Sequence, residues 1–360
     1  MSNKKMKVKL ENDMVFEGKS FGSEKEMSGE IVFNTGMVGY PEAMTDPSYY
    51  GQIMVLTHPL IGNYGVPEFE PEGHELLDNF ESANIQVNGL IVSEYSEKYA
   101  HCKAGQSLGE WMEKEGVPGV TGIDTRKLTQ VLREKGTMLG KVYHTMEPDF
   151  YDPNKENLIE DVSIEEQKVY GEGENRIALL DCGCKYSIIK NLTKRGVEVV
   201  RLPWDTNIEK IKNLDVDALF ISNGPGDPKL MQEVIDTTSA AIEEEMPVCG
   251  ICLGNQILAL AVGAETYKLK YGHRSQNQPV IDQRDKQCYI TSQNHGYNIK
   301  EGSLPEGWKK WFVNLNDETI EGIRHESGKY LSTQFHPEAE PGPTDTQFIF
   351  DQFVEAIINN

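Results

Sequence analysis

From residue 176 onward, short apolar segments alternate with amphipathic segments, and this alternation limits the possible folds more than any other feature of the sequence. The apolar segments of strand length are 177–180, 197–202, 216–222 and 248–251. The segments with helical spacing are 185–194, 228–245 and 255–262. Strands that alternate with helices form a parallel sheet covered on both faces. The sequence therefore predicts an α/β domain over residues 176–360, with a doubly wound, mostly parallel sheet.

The first 150 residues have a different pattern. They are rich in Gly and Tyr and contain strand-like pieces at 6–10, 30–34 and 53–57, without a repeated strand-helix-strand rhythm. One helix is predicted over 124–135, with Asp124 as its N-cap and Gly136 as its stop. We expect a β-rich N-terminal domain, residues 1–150, joined to the second domain by a polar, acidic linker, residues 151–175.

Charge and composition exclude several classes of protein. The 360 residues carry a formal net charge of -22, which disfavours lasting attraction to nucleic acid or to an anionic membrane. The N-terminus has no apolar run long enough for a signal peptide or a membrane span, so we expect a cytoplasmic protein. In a reducing compartment its six cysteines would remain thiols.

One of these thiols lies in a motif that suits a nucleophile. Residues 250–256, G-I-C-L-G-N-Q, follow an apolar strand and open an apolar helix, so Cys252 occupies the centre of a nucleophile elbow. Small residues on either side let the strand and helix pack closely. The helix N-terminus favours a thiolate. The alternative is a buried, inert cysteine in a glycine-rich turn.

A cysteine nucleophile needs a base, and residues 336–338, H-P-E, supply a candidate. In extended chain, His336 and Glu338 point the same way, so the carboxylate can orient the imidazole as in a catalytic triad. The alternative is a solvated pair or a chance metal-binding pattern.

A third motif, S-N-G-P-G-D-P at 222–228, directly follows a predicted strand. Its glycines would let backbone N–H groups approach a ligand oxygen, as an oxyanion hole requires. The alternative is a plain Gly/Pro loop. The spacing does not match phosphate-binding glycine motifs, so we expect no nucleotide site here.

Together the three motifs resemble those of the triad-type (class I) glutamine amidotransferases. The resemblance implies that Cys252 is the nucleophile that forms a γ-glutamyl thioester. It implies that His336 is the general base and then the acid, and that Glu338 orients His336. The backbone N–H groups of Gly224 and Leu253 would hold the oxyanion.

Further segments are similar to one family, the small chains of carbamoyl-phosphate synthases, and they span nearly the whole chain. They are 30–37, 45–49, 59–65, 122–126, 270–274, 292–297 and 336–343. By position, this resemblance implies that L-glutamine contacts Ser48, Gly224, Gly226, Leu253, Gln256, Asn294, Gly296 and Tyr297. Relatives often have Phe where this chain has Tyr297, and a backbone contact should tolerate that difference.

The resemblance also implies a partner. A carbamoyl-phosphate synthase large chain would use bicarbonate and ATP, with Mg²⁺, to make carbamoyl phosphate for arginine and pyrimidine biosynthesis. The two chains would form a heterodimer that can assemble further. We expect no cofactor and no metal on this chain, because no second pair of thiols lies at zinc-site spacing from Cys182 and Cys184.

Two other functions would account for part of the sequence. A free-standing hydrolase such as a γ-glutamyl hydrolase, or the amidotransferase of another synthetase, would share the triad but not the first half of this chain. A binding or regulatory module with a decayed triad would lack Cys252, His336 or Glu338, and all three residues are present.

Overall fold

The computed structural model describes residues 4–68 and 76–358. The chain divides into two compact units, Met1–Glu156 and Asn157–Asn360. Among the described residues, none of the helices combines the length and the apolar character needed to cross a membrane.

The N-terminal unit is built around a closed barrel. Its strands are β1 (Lys5–Leu10), β2 (Val15–Gly22), β3 (Met27–Asn34), β4 (Gln52–Leu56), β5 (Leu60–Ile61), β6 (Val66–Pro67), β7 (Gly89–Ile91), β8 (Glu94–Tyr95), β9 (Ala104–Gln106), β10 (Pro118–Thr121) and β11 (Met138–Tyr143). The barrel order is β1-β11-β3-β4-β7-β10-β2. The three predicted strand-like pieces lie in or along β1, β3 and β4, which confirms a β-rich domain. The closure into a barrel did not follow from the sequence pattern.

Helices α1 (Tyr40–Thr45), α2 (Leu108–Glu115) and α3 (Thr125–Lys135) complete this unit. The predicted ends of α3 are confirmed. The Asp124 side chain accepts a hydrogen bond from the Lys127 N–H, and Gly136 is the C-cap. Helix α2 begins with a capping box in which Ser107 and Glu110 satisfy each other's backbone N–H groups.

The C-terminal unit contains the second sheet. Its strands are β12 (Lys168–Tyr170), β13 (Asn175–Asp181), β14 (Val197–Pro203), β15 (Ala218–Ile221), β16 (Val248–Ile251), β17 (Thr266–Asp282), β18 (Cys288–Ile299), β19 (Trp308–Asn314), β20 (Ile320–His325) and β21 (Tyr330–Thr333). Its helices are α4 (Ile159–Val162), α5 (Tyr186–Thr193), α6 (Ile208–Lys212), α7 (Gln232–Glu243), α8 (Leu253–Ala261) and α9 (Phe348–Ile358).

This 10-stranded sheet has the order β12-β14-β13-β15-β16-β21-β20-β19-β17-β18. The adjacent strands β14, β13, β15, β16 and β21 are all parallel, as the alternating pattern predicts. Antiparallel strands extend the sheet at both edges, with β12 on one side and β20, β19, β17 and β18 on the other.

Helices cover both faces of the parallel strands, as strand β15 illustrates. Leu219 and Ile221 belong to one core cluster with Ile257 of α8. Phe220, between them, points to the other face, where its ring contacts Phe353 of α9. Successive side chains of the strand are therefore buried on opposite sides, which confirms the predicted doubly wound fold.

The segment 151–175, predicted as a linker, contains regular structure. Strand β12 pairs with β14, and Ile159 of α4 is part of the core of the C-terminal unit. The main-chain N–H of Ile164 donates to the Asp181 carboxylate. The segment therefore contributes packing and hydrogen bonds to the C-terminal unit, which begins at Asn157.

Candidate active site

The candidate site lies at one edge of the parallel strands. Strands β13, β15, β16 and β21 are adjacent and parallel, so the loops that follow them leave the sheet on the same side. These loops carry Lys185, Gly224, Cys252 and His336. Sheet topology therefore gathers residues that are far apart along the chain.

Cys252 lies on a strained turn between β16 and α8. It has φ 57° and ψ -100°, a conformation that non-glycine residues rarely adopt. The flanking glycines make this turn possible. A Cβ at Gly250 would lie 2.7 Å from the Gly254 carbonyl carbon, and one at Gly254 would lie 2.2 Å from the Ile221 carbonyl oxygen. The structure thus confirms the reason given for the small residues of the elbow.

His336 and Glu338 form a buried pair in the next loop. The distance from His336 Nδ1 to Glu338 Oε1 is 2.5 Å. The His336 main chain is held by its N–H, which donates to the Ser292 carbonyl over 2.9 Å. On the other side of the ring, His336 Nε2 has no hydrogen-bond partner among the described residues, and Cys252 lies close enough to affect the pKa of the ring. The three predicted triad residues therefore meet in space.

The charges of this pair reinforce each other. Burial lowers the pKa of His336, but Glu338 and Cys252 raise it more strongly, to about 10. Burial raises the pKa of Glu338, but Lys185 and His336 lower it more strongly, to about 2. At neutral pH the pair is an imidazolium beside a carboxylate.

Lys185, which the sequence analysis did not single out, is the third charge at this point. Its side chain is 3% exposed, and Nζ lies 3.1 Å from Glu338 Oε1 and 2.8 Å from the Ala339 carbonyl oxygen. The Lys185 main-chain N–H donates to the Asn223 side chain, which ties this loop to the one after β15. The available sequence signal was a lysine in the short loop between a buried strand, β13, and the next helix, α5.

Gln334 is a second residue at the site that was not predicted from the sequence. Its amide nitrogen donates to the Cys252 carbonyl over 3.3 Å and lies 3.7 Å from the Cys252 sulfur. Its amide oxygen accepts hydrogen bonds from Asn255 and Gln256. Gln334 lies two residues before His336, so in extended chain the two side chains point the same way. This alternation could have identified Gln334 from the sequence.

The two predicted oxyanion donors are neighbours. A Cβ at Gly224 would lie 2.8 Å from Leu253 Cδ2 and 2.0 Å from the Cys182 carbonyl oxygen, so only glycine fits. Leu253 is the first residue of α8, where a main-chain N–H has no partner within its own helix. These two N–H groups can therefore converge on one ligand oxygen beside Cys252.

Most of the predicted glutamine contacts lie around the same point. Gln256 Nε2 donates to the Tyr297 carbonyl over 2.9 Å, and the Cys252 sulfur lies 3.6 Å from the Asn294 carbonyl. Gly296 lies between Asn294 and Tyr297 on β18. Gly226, with φ 89°, lies in the loop after β15. Their contact with glutamine stays a prediction.

Ser48 lies in the N-terminal unit. It is buried in a short 3₁₀ turn, Pro47–Tyr49, where its main-chain N–H donates to the Asp46 carboxylate over 2.9 Å. Its predicted contact with glutamine also stays a prediction.

The other cysteines near the site differ from Cys252. Cys182 and Cys249 are fully buried, and burial raises the pKa of both thiols well above the ordinary value. Cys249 lies on β16 and is part of the buried core. Neither thiol is suited to act as a nucleophile.

Comparisons with known proteins agree with this geometry. Residues 178–356 match the family described as "Glutamine amidotransferase class-I", and residues 8–142 match "Carbamoyl-phosphate synthase small chain, CPSase domain". The arginine-specific small chain of carbamoyl phosphate synthase from Aspergillus oryzae is 46% identical over 352 residues, covering 95% of this chain and 78% of that relative. The chain belongs to the carbamoyl-phosphate synthase small chain family. The family and the predicted fold are thereby confirmed.

Other relatives with the family's sequence are much longer. "Multifunctional protein CAD" from Squalus acanthias is 48% identical over 353 residues, which is 96% of this chain but 16% of the relative. "Carbamoyl-phosphate synthase [ammonia], mitochondrial" from Homo sapiens is 46% identical over 355 residues, 97% of this chain and 23% of the relative. This chain therefore spans less than a quarter of the length of these two relatives.

Proposed function

We propose that this chain is the glutamine-hydrolysing subunit of a carbamoyl-phosphate synthase. It would hydrolyse L-glutamine to glutamate and ammonia and deliver the ammonia to a large synthetase chain. The observation that carries this proposal is Cys252 on a strained elbow beside the buried, charged pair of His336 and Glu338.

In the proposed reaction, the Cys252 thiolate attacks the side-chain carbonyl carbon of glutamine. The oxyanion accepts hydrogen bonds from the N–H groups of Gly224 and Leu253. Removing one such donor in comparable sites costs about 3 to 4 kcal/mol of transition-state stabilisation. The His336 imidazolium then donates its proton to the departing ammonia, and a γ-glutamyl thioester remains on Cys252.

The second half of the reaction uses the same ring. Neutral His336 takes a proton from water, and the resulting hydroxide attacks the thioester to release glutamate. Glu338 accepts a hydrogen bond from His336 Nδ1 throughout, so it orients the ring and stabilises its positive charge. Lys185 neutralises part of the charge on Glu338 and fixes the position of its carboxylate.

The name of one relative specifies ammonia, so membership of the family does not by itself identify the nitrogen donor. The intact triad of this chain favours glutamine. A chain that received free ammonia would have no need of a nucleophilic thiol held beside an imidazolium.

The proposed partner supplies the remaining chemistry. A large chain would bind ATP and Mg²⁺ and combine ammonia with bicarbonate, and this chain would need no cofactor of its own. Ammonia released into water would be protonated and lost, so we propose an internal passage between the chains, which would form a heterodimer in the cytoplasm. The product would serve arginine biosynthesis, pyrimidine biosynthesis or both, and the name of one relative specifies arginine.

The decisive experiment is Cys252→Ser in the complex with a large chain. We expect glutamine-dependent carbamoyl phosphate synthesis to fall at least about 1,000-fold, because the nucleophile is lost. Synthesis from added ammonium should stay near the wild-type rate. Cys288→Ser, which replaces an exposed cysteine, is the matched control and should change neither activity. Glutamine-driven synthesis that survived in Cys252→Ser would contradict the proposal.

A further inference from the structure

A second cluster of ionisable side chains lies in the C-terminal unit and has no part in the proposed reaction. It consists of His273 on β17, His295 on β18 and Glu321 on β20, and we refer to it as the His-His-Glu cluster. All three are buried, and one potential ligand atom from each lies within 4.8 Å of the others. Three strands of one sheet therefore hold the cluster in a rigid framework.

The ring of His273 is oriented by a carboxylate outside the cluster. His273 Nε2 lies 2.7 Å from Asp317 Oδ2, and His273 Nδ1 lies 3.2 Å from Glu321 Oε1. Metal-binding histidines commonly donate one ring N–H to a carboxylate or carbonyl and bind the metal through the other nitrogen. Asp317 is the carboxylate that accepts from His273 Nε2, and His273 Nδ1 is therefore directed into the cluster.

His295 shows the same arrangement with a main-chain partner. His295 Nδ1 lies 2.9 Å from the Tyr297 carbonyl oxygen, which can only accept, so Nδ1 carries the proton. In the neutral ring, Nε2 then presents a lone pair. This lone pair faces Gln293 Oε1 at 3.2 Å and Glu321 Oε2 at 3.7 Å.

The cluster also contains a carboxylate oxygen without a hydrogen bond. Glu321 is fully buried, and its Oε2 has no hydrogen-bond partner among the described residues. Glu321 Oε1, in contrast, accepts from Thr319 and faces His273. A buried carboxylate oxygen without a donor is costly, which suggests that a cation belongs at this point.

From this geometry we propose that the His-His-Glu cluster binds one divalent transition-metal ion of the zinc type. The ligands are His273 Nδ1, His295 Nε2 and Glu321, and Gln293 Oε1 is near enough to be the fourth. Two imidazole nitrogens with oxygen ligands suit Zn²⁺ in a tetrahedral site, and four protein ligands make a structural rather than a catalytic site. The positive ion would balance the buried charge of Glu321 and the partly exposed charge of Asp317.

The spacing of the thiols predicted no metal site, and the proposed ligands include no thiol. The two histidines and Glu321 are instead at least 22 residues apart, on three strands, and share no sequence motif. The competing occupant is a proton, which on His295 Nε2 would donate to Glu321 or Gln293. A metal site would take up an added metal ion, whereas a site occupied by a proton would not, so the two occupants can be distinguished.

The ion would have a structural consequence for the candidate active site. His295 lies on β18 between Asn294 and Gly296, and its ring holds the Tyr297 carbonyl that also accepts from Gln256. A metal bound to His295 would therefore fix the part of β18 that is predicted to contact glutamine. Metal binding itself does not depend on whether the chain hydrolyses glutamine, so each proposal can fail without the other.

The test uses the full chain carrying Cys252→Ser, which removes the reactive thiol as a metal ligand. After treatment with a chelator and dialysis, Co²⁺ is titrated in as a spectroscopic substitute for Zn²⁺. We expect visible absorption typical of tetrahedral Co²⁺ that saturates at one ion per chain, without a thiolate charge-transfer band. Zn²⁺ should displace the Co²⁺ and raise the melting temperature.

Variants then assign the ligands. Glu321→Gln and His273→Ala should lose the Co²⁺ absorption and the thermal shift, and Asp317→Asn should weaken binding about 10- to 100-fold. His325→Ala is the matched control, since His325 lies outside the cluster with Nδ1 bonded to Ser327. Circular dichroism shows whether each variant folds, and if His273→Ala does not, the nearly isosteric Glu321→Gln decides.

Two results would overturn the proposal. One is a parent protein that gives neither the tetrahedral Co²⁺ spectrum nor a melting-temperature shift with Zn²⁺, which would leave a proton as the occupant. The other is a folded Glu321→Gln variant that retains both signals, which would place the bound ion elsewhere.

Discussion

Three buried charges, on Lys185, His336 and Glu338, set the electrostatics of the candidate active site. Each would be unfavourable alone in the interior, but two cations and one carboxylate within hydrogen-bond distance offset the loss of hydration. Cys252 lies beside the imidazolium of His336. Replacing any one of the three side chains should therefore change the electrostatic environment of the other two.

Glu338→Gln should lower the pKa of His336 from about 10 toward its ordinary value of 6.5, because the main group that raises it is removed. The pKa can be followed by NMR of the His336 ring, with Glu340→Gln as the control. A His336 pKa that stayed near 10 in Glu338→Gln would contradict the assigned pairing.

The same pair makes stability depend on pH. The folded pKa of His336 is raised, so its stabilising contribution is complete below about 6.5 and is lost as pH rises through about 10. The folded pKa of Glu338 is lowered, so its contribution is complete above about 4.5 and is lost as pH falls through about 2. Urea unfolding should therefore show the largest difference between wild type and Glu338→Gln between about pH 4.5 and 6.5. A difference that grew above pH 8 would have the wrong sign.

Lys185→Met should destabilise the protein by about 3 to 5 kcal/mol, because it leaves the Glu338 carboxylate with one charged partner fewer in the interior. Lys194→Met is the control. That side chain is exposed at the end of α5, and its removal should change the free energy of unfolding by less than about 0.5 kcal/mol. Urea unfolding of both variants measures the difference, and equal effects would show that the pair of Lys185 and Glu338 is not important for stability.

At the scale of elements, the site depends on how closely α8 approaches the sheet. Gly254, in the first turn of α8, faces the Ile221 carbonyl at the end of β15, and Gly250 faces Gly254. This close approach places the N-terminus of α8 at the catalytic edge, where Cys252 and the Leu253 N–H are needed. The small residues of the elbow are therefore needed for the packing of α8 against the sheet as well as for the chemistry of Cys252.

Gly254→Ala tests this packing. The added Cβ would lie 2.2 Å from the Ile221 carbonyl oxygen, so α8 must shift, and we expect a loss of about 1 to 3 kcal/mol in stability together with most glutaminase activity. Gly89→Ala is the control, because its Cβ would have no atom nearer than 3.5 Å. Thermal unfolding and a glutaminase assay of both variants give the comparison. Full activity in Gly254→Ala would show that the position of α8 is not critical.

At the scale of the whole molecule, the chain consists of two compact units, one built on a closed barrel and the other on a doubly wound sheet. The triad, the oxyanion donors and the His-His-Glu cluster all lie in the second unit. The segment 157–175 belongs to that unit through Ile159 and strand β12. The second unit therefore has the parts that it needs to fold alone only if this segment is included.

Two fragments test this boundary. Residues 157–360 should fold with a single cooperative transition, whereas residues 176–360 should be less stable by about 2 kcal/mol or more, because they lack the buried Ile159 and the edge strand β12. Urea unfolding followed by circular dichroism measures both. Equal stability of the two fragments would show that residues 157–175 act only as a linker.

The sequence alone determined the features that depend on neighbours along the chain. The alternation of apolar and amphipathic segments gave the doubly wound sheet, and the caps of α3 followed from Asp124 and Gly136. The elbow at Cys252 and the common face of His336 and Glu338 also follow from local geometry. Such features are predictable because backbone periodicity and steric limits act over a few residues.

Only the tertiary structure decided the contacts between residues distant along the chain. Lys185 and Glu338 are separated by 153 positions, and Gln334 reaches Cys252 over 82 positions. The closure of the barrel and the meeting of the His-His-Glu cluster on three strands are of the same kind. These contacts leave no periodic pattern in the sequence, because strand order and loop paths bring them together and local spacing does not specify either.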